Sequence, residues 1–117
     1  MAKPELEVLR DQLRLFTAER DWQPYHSPKN LSMALSAEVG ELLEHFQWLT
    51  EEESRNLVPE TLREVELEMA DVLLYLVCLA DKLGVDLAQV AARKIELNAR
   101  KYPAEQVRGS AKKYTEY

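Results

Sequence analysis

The chain has 117 residues, a length that suits one domain with a single hydrophobic core and disfavours a multidomain protein. Only three glycines and five prolines are present, too few for the turns of a β-sandwich or barrel, whereas helix-favouring residues are abundant. The net charge of −6 disfavours general nucleic-acid binding, and no stretch approaches the roughly 20 apolar residues that cross a bilayer. We therefore expect an all-α cytoplasmic protein without nucleic-acid or membrane partners.

Capping residues and apolar periodicity predict four main helices. Pro4 suits the first position of the first helix, and Ser27 followed by Pro28 suits the start of the second. Pro59 opens the third helix, Gly84 ends it, and Asp86 with Gln89 resembles a capping box for the fourth. The predicted spans are residues 4–20, 28–49, 59–83 and 86–101.

The remaining segments are polar. Residues 50–58 are acidic and without clear periodicity, which predicts a mobile loop. Residues 1–103 would form the domain, and residues 104–117 a locally basic tail with Arg108, Lys112 and Lys113. A frayed, solvated terminus is the simpler interpretation of this tail, and closure over a phosphate-bearing ligand is the alternative.

Two pairs of acidic residues with matching spacing lie within the most apolar parts of the chain. Glu38 and Glu41 are three residues apart on the second helix, as are Glu68 and Asp71 on the third, so each pair lies on one helical face. The apolar neighbours of Asp71 predict that it has little access to water. Clustered buried acids require a cation or bound protons, and we expect a divalent metal.

The ligand types favour Mg²⁺, or Mn²⁺, because carboxylates are hard oxygen ligands and no thiolate or histidine cluster accompanies them. A ferritin-like di-iron site needs Glu-x-x-His motifs. Here Leu42 stands three residues before His45, and the other histidine, His26, lies in a predicted connecting loop. The sequence therefore lacks the motifs of a ferritin-like di-iron site.

Other candidate residues have simpler explanations. Most helical glutamates lie on solvated faces, and Trp22 and Trp48 can be core aromatics that seal the ends of a bundle. The alternative is that the two tryptophans stack on a nucleobase. Lys94 and Asn98, one turn apart on the fourth helix, can contact a phosphate or sugar, although this pair alone is a weak signal.

Several runs resemble the MazG-like nucleotide pyrophosphohydrolases, and more narrowly their short dCTP pyrophosphatase branch, within the all-α nucleoside triphosphate pyrophosphatase superfamily. The acidic runs are Glu38-Val39-Gly40-Glu41-Leu42 and Glu68-Met69-Ala70-Asp71-Val72-Leu73. The other matching runs are Glu19-Arg20-Asp21-Trp22, Asn30-Leu31, Phe46-Gln47-Trp48, Lys94 to Asn98, Lys101-Tyr102-Pro103 and Lys113-Tyr114-Thr115-Glu116. The resemblance spans almost the whole chain.

This resemblance implies a helical homodimer or homotetramer that hydrolyses a nucleoside triphosphate, with dCTP or a modified dCTP expected, to a monophosphate and pyrophosphate. Mg²⁺ would be held by the four acids, Glu38, Glu41, Glu68 and Asp71. Glu38 or Glu41 would be the general base. Trp22 and Trp48 would border the base pocket, Tyr75 would lie near the sugar, and Lys94 and Asn98 would contact phosphates or sugar across a subunit interface.

One position departs from the pattern, since Leu13 stands where animal dCTP enzymes carry a histidine near the base. A broad or different pyrimidine specificity is therefore an alternative. A non-catalytic helical dimerisation module that senses nucleotide would be expected to lose at least one of the acids, because clustered acids destabilise a core unless metal binding compensates. A purely structural bundle predicts instead that replacing Glu38 or Asp71 with Leu would stabilise the fold without loss of function.

Overall fold

The computed structural model describes residues 3–110, and these residues form helices without strands. In chain order they are α1 (Glu5–Glu19), a 3₁₀ turn (Gln23–Tyr25), α2 (Pro28–Glu44), α3 (Glu51–Arg55), α4 (Pro59–Leu83), α5 (Leu87–Lys101) and α6 (Ala104–Val107). The predicted all-α class is confirmed. None of the helices in the described part combines the length and apolar character needed to cross a bilayer.

Three predicted capping residues are in place, whereas Pro4 is the N-cap residue before α1 and not its first helical residue. The Ser27 side chain accepts a hydrogen bond from the Asn30 backbone N–H at 3.1 Å, which satisfies a donor in the first turn of α2. Asp86 caps α5 in the same way by accepting from the Gln89 backbone N–H at 3.1 Å. Gly84 ends α4 with a φ of 68°, a left-handed conformation that glycine adopts without a Cβ penalty.

The region between α2 and α4 differs from the prediction in two respects. Helix α2 ends at Glu44 and not near residue 49, because the backbone N–H groups of His45 and Phe46 bond three residues back in tight turns. The expected loop of residues 50–58 contains α3. Thr50 and Glu53 form a reciprocal capping box at the start of this short helix. The Thr50 backbone N–H donates to Oε1 of Glu53 at 2.9 Å, and the Glu53 backbone N–H donates to Oγ1 of Thr50 at 3.1 Å.

Residues Met1–Val85 form one compact unit, in which α4 packs against both α2 and α1. Its buried apolar side chains are Leu31, Val65, Val77 and Ala80, with Thr17 as a buried polar neighbour. Three of these five residues lie on α4. Helix α4 therefore lies at the centre of this unit.

This unit also leaves many large apolar side chains exposed. On α4, Leu67 is 69% exposed and Met69 is also open to solvent, and on α2 Leu43 is exposed in the same way. Exposed apolar patches of this kind mark interaction surfaces in soluble proteins. The unit therefore leaves part of the apolar surface of α2 and α4 unburied.

Residues Asp86–Tyr117 form a second unit. Its described part consists of α5 and the short α6, so the predicted tail begins with a helical turn at Ala104–Val107. Lys112 and Lys113 lie outside the described residues. The predicted domain boundary at residue 103 stays a prediction.

Candidate metal centre

Helices α2 and α4 bring three carboxylates together. Glu38, Glu41 and Glu68 each offer one oxygen, and these three oxygens lie within 4.8 Å of one another. The spacing of three residues places Glu38 and Glu41 on one face of α2, and the packing of α4 against α2 adds Glu68 from the opposite side. Three of the four predicted metal ligands therefore converge.

Two oxygens of this cluster have unfulfilled hydrogen-bonding capacity. One carboxylate oxygen of Glu38 and one of Glu68 are buried and have no hydrogen-bond partner among residues 3–110. Buried polar atoms in native proteins almost always have a hydrogen-bond partner. A buried polar atom without one costs the free energy of its desolvation, which lowers the stability of the fold. A cation that accepts lone pairs from both oxygens removes this cost, so the residues fit a divalent metal.

Burial and the neighbouring carboxylates also disfavour the ionised form of the acids in this cluster. Burial raises the pKa of Glu38 to about 7, and the nearby carboxyls of Glu41 and Asp71 push it in the same direction. Burial likewise raises the pKa of Glu68, with Glu41 as the next largest cause. Without a metal, the cluster reduces its own repulsion by retaining protons near neutral pH.

Asp71 differs from its predicted environment. The expectation that it has little access to water is wrong, because Asp71 is exposed, as are its neighbours Ala70 and Leu73. Asp71 lies outside the group of three converging oxygens, yet its charge contributes to the raised pKa of both Glu38 and Glu68, so it borders the cluster.

Tyr75 lies one helical turn beyond Asp71 on α4. Its side chain is partly buried, and burial raises the pKa of the phenol, followed by the charges of Glu38 and Asp71. A phenol with a raised pKa stays protonated and can donate a hydrogen bond at neutral pH. The structure thus places Tyr75 beside the acidic cluster.

The two tryptophans are not core residues. Trp48 is 85% exposed and Trp22 is 44% exposed, so the interpretation that they seal the ends of the bundle is wrong for this unit. Trp22 contacts Phe16 edge to face, with ring centroids 5.7 Å apart. Exposed aromatic faces remain available for stacking, which keeps the base-stacking prediction open.

Lys94 and Asn98 lie on α5 in the second unit, one turn apart as predicted. Lys94 is exposed and Asn98 is partly buried. Their predicted contacts with phosphates or sugar stay predictions.

An ion pair near the other end of α4 was missed by sequence analysis. The Nε of Arg14 donates to Oδ2 of Asp81 at 2.9 Å, and its Nη2 donates to Oδ1, which joins α1 to α4. These two residues are 67 positions apart, so no local spacing could reveal the pair.

Comparison with known proteins agrees with this geometry. The MazG-like family model matches residues 33–117 of the chain. The human protein named dCTP pyrophosphatase 1 is 45% identical over 116 residues, which cover 97% of this chain and 68% of the relative. This chain belongs to the MazG-like family.

Other MazG-like relatives extend the match. The bovine dCTP pyrophosphatase 1 is 44% identical over 117 residues, 98% of this chain and 69% of that protein. A crystal structure of a pyrophosphatase from Archaeoglobus fulgidus superposes with a TM-score of 0.82 at 43% identity, covering 88% of this chain and 96% of the other. The resemblance that the acidic motifs indicated is confirmed at the level of family and fold.

Proposed function

We propose that this MazG-like protein is a metal-dependent pyrophosphohydrolase that converts a deoxynucleoside triphosphate, dCTP or a modified dCTP, to the monophosphate and pyrophosphate. The observation that carries the proposal is the convergence of three carboxylates with two buried, unpartnered oxygens. The relatives named dCTP pyrophosphatase 1, at 44–45% identity over nearly the whole chain, support the substrate.

The metal would be held by Glu38, Glu41 and Glu68, with Asp71 at the edge of the cluster as the fourth ligand. An all-carboxylate set suits Mg²⁺, and Mn²⁺ is the alternative. When bound, such an ion neutralises phosphate charge and lowers the pKa of a coordinated water.

The reaction is attack by water on the α-phosphorus. The oxygen of water forms a bond to that phosphorus, the bond from phosphorus to the α–β bridging oxygen breaks, and pyrophosphate leaves. A carboxylate, Glu38 or Glu41, accepts the proton of the attacking water.

The substrate is expected to contact side chains outside the acidic cluster as well. Trp22 and Trp48 would stack on or enclose the base, and Tyr75 would donate to the sugar or a phosphate. Lys94 and Asn98 on α5 would contact phosphates or sugar from a neighbouring subunit. The exposure of both tryptophans and the position of Tyr75 beside the acids support these roles.

Self-association would bury the apolar surface that the single chain leaves exposed. The exposed apolar side chains of α2 and α4, including Leu43, Leu67 and Met69, support a homodimer or a tetramer of dimers, because such an assembly removes this surface from water. A cytoplasmic location suits an enzyme that acts on the nucleotide pool.

The test is a product assay with a matched pair of variants. The purified protein is incubated with Mg²⁺ and each canonical, methylated and deaminated deoxynucleoside triphosphate, and the products are separated. The proposal expects monophosphate and pyrophosphate, with dCTP or a modified dCTP as the best substrate. Glu68→Gln should abolish this turnover, whereas Glu66→Gln, an equivalent change at an exposed position on the same helix, should not.

Two outcomes contradict the proposal. Nucleotide binding without turnover under Mg²⁺ or Mn²⁺ would indicate a nucleotide-sensing module. Equal turnover of every pyrimidine triphosphate would retain the chemistry and replace dCTP by a broad specificity.

A further inference from the structure

A cavity of about 230 Å³ lies between α1, the 3₁₀ turn and the C-terminal half of α4, within the first unit. Its wall combines apolar and polar groups, among them Leu13, Arg14, His26, Cys78 and Asp81. A concave site with a few convergent polar groups is the usual form of a small-molecule pocket. None of these residues belongs to the acidic cluster.

Helix α4 connects the cavity to the acidic cluster. Asp71, Tyr75 and Cys78 follow one another at steps of four and three residues, so they lie along one face. Burial raises the pKa of the Tyr75 phenol, and Glu38, Asp71 and Cys78 each add to the rise, so the phenol lies within electrostatic range of both the acids and the cavity wall. Tyr75 therefore stands between the two sites.

The distance between the sites suits one nucleotide. Cys78 lies seven positions after Asp71, at the edge of the cluster, and ten positions after Glu68, which correspond to about 10 and 15 Å along the helix axis. A nucleotide whose phosphates lie at the carboxylates can extend its sugar past Tyr75 and place its base in the cavity. The ring of Trp22, a predicted base-stacking residue, lies 6.4 Å from the ring of His26 on the cavity wall.

The polar part of the cavity wall contains a hydrogen-bond acceptor next to a hydrogen-bond donor. Arg14 and Asp81 bind each other through two parallel hydrogen bonds, and their side chains are 53% and 22% exposed. The pair presents a carboxylate acceptor directly beside a guanidinium donor, held in one geometry.

We propose that the Arg14–Asp81 pair selects the nucleobase of the substrate, with Asp81 accepting from the exocyclic amino group of an aminopyrimidine and Arg14 donating to the adjacent ring nitrogen. This inference rests on the proposed function and names residues that set its specificity. Cytosine presents an amino donor beside a ring-nitrogen acceptor and so complements the pair. Uracil and thymine present the reverse order, a carbonyl acceptor beside an N–H donor, and leave the pair mismatched.

The experiment compares substrates in Asp81→Asn. The ratio of kcat/KM for dCTP to that for dTTP should fall at least about tenfold, because the amide can donate to the thymine carbonyl where the carboxylate could only accept. The double variant Arg14→Gln/Asp81→Asn removes both charges without leaving one unpaired, and it should lose the same discrimination. The matched control is Glu51→Gln/Arg55→Gln, which removes an exposed pair with a separation of 3.5 Å on α3 and should leave the ratio unchanged.

Binding of the products dCMP and dTMP, measured by calorimetry, separates this inference from the proposed function. If the wild-type protein hydrolyses no triphosphate, the proposed function is wrong, and the preference for dCMP over dTMP still tests the pair. If Asp81→Asn and the double variant both fold, as judged by circular dichroism, and keep the wild-type preference, the pair does not select the base. A purely structural role would change stability or kcat for all nucleotides equally.

Discussion

One carboxylate oxygen of Glu38 and one of Glu68 are buried together between α2 and α4, and neither has a hydrogen-bond partner among residues 3–110. Glu41 completes a set of three oxygens within 4.8 Å. Such an arrangement is unfavourable in a metal-free protein and favourable around a divalent cation.

Mg²⁺ should raise the melting temperature of the protein. A ligand that binds only the folded state at 100 times its Kd stabilises it by about 2.7 kcal/mol, which for a domain of this size corresponds to a shift of roughly 10 °C. The measurement is thermal denaturation after chelation and after Mg²⁺ is restored. The shift should vanish in Glu68→Gln and persist in Glu66→Gln, and an equal shift in both variants would place the metal elsewhere.

Metal affinity should increase with pH through neutrality. The pKa of Glu38 is raised to about 7 in the metal-free protein, so protons compete with the metal below that value and are released when the metal binds. Calorimetry should show weaker binding at about pH 6 than at about pH 8, and the measured binding enthalpy should vary with the ionisation enthalpy of the buffer because protons are released. An affinity independent of pH across this range would contradict a direct role for Glu38.

Glu38→Gln should stabilise the metal-free protein at alkaline pH. The pKa of Glu38 in the folded protein is raised from the ordinary value of 4.5 to about 7. Folding therefore loses free energy progressively as the pH rises from 4.5 through about 7, because the carboxyl ionises more readily in the unfolded chain. The substitution removes this cost and should stabilise the fold by about 1 kcal/mol at about pH 8, with no gain at about pH 4.

Chemical denaturation with chelator present, at the two pH values, measures this effect. Turnover should be lost in the same variant, and the control Glu66→Gln should change neither quantity. A Glu38→Gln variant that is less stable at alkaline pH would show that the carboxylate is already compensated in the metal-free fold.

Much of the fold follows from local sequence. Ser27, Gly84 and Asp86 mark helix ends through capping chemistry that acts within a few residues, and the structure has them in these roles. Helix α3 was missed because its start depends on the Thr50–Glu53 capping box within a polar segment that has no apolar periodicity. The position of helix ends is thus predictable where a capping signal adjoins an apolar stripe.

The candidate site was predictable only in part. Helical spacing is a local property, so the pairing of Glu38 with Glu41 could be inferred before the packing was known. The exposure of Asp71 could not, because apolar neighbours in sequence do not reveal whether another element covers that face. The Arg14–Asp81 pair depends entirely on how α1 packs against α4, which no short-range pattern encodes.

The most direct test of the central claim is hydrolysis of dCTP with Mg²⁺ in water labelled with heavy oxygen, followed by mass spectrometry of both products. Attack at the α-phosphorus predicts that the label enters the deoxycytidine monophosphate and that pyrophosphate stays unlabelled. Label in pyrophosphate, or release of diphosphate and inorganic phosphate, would contradict the account.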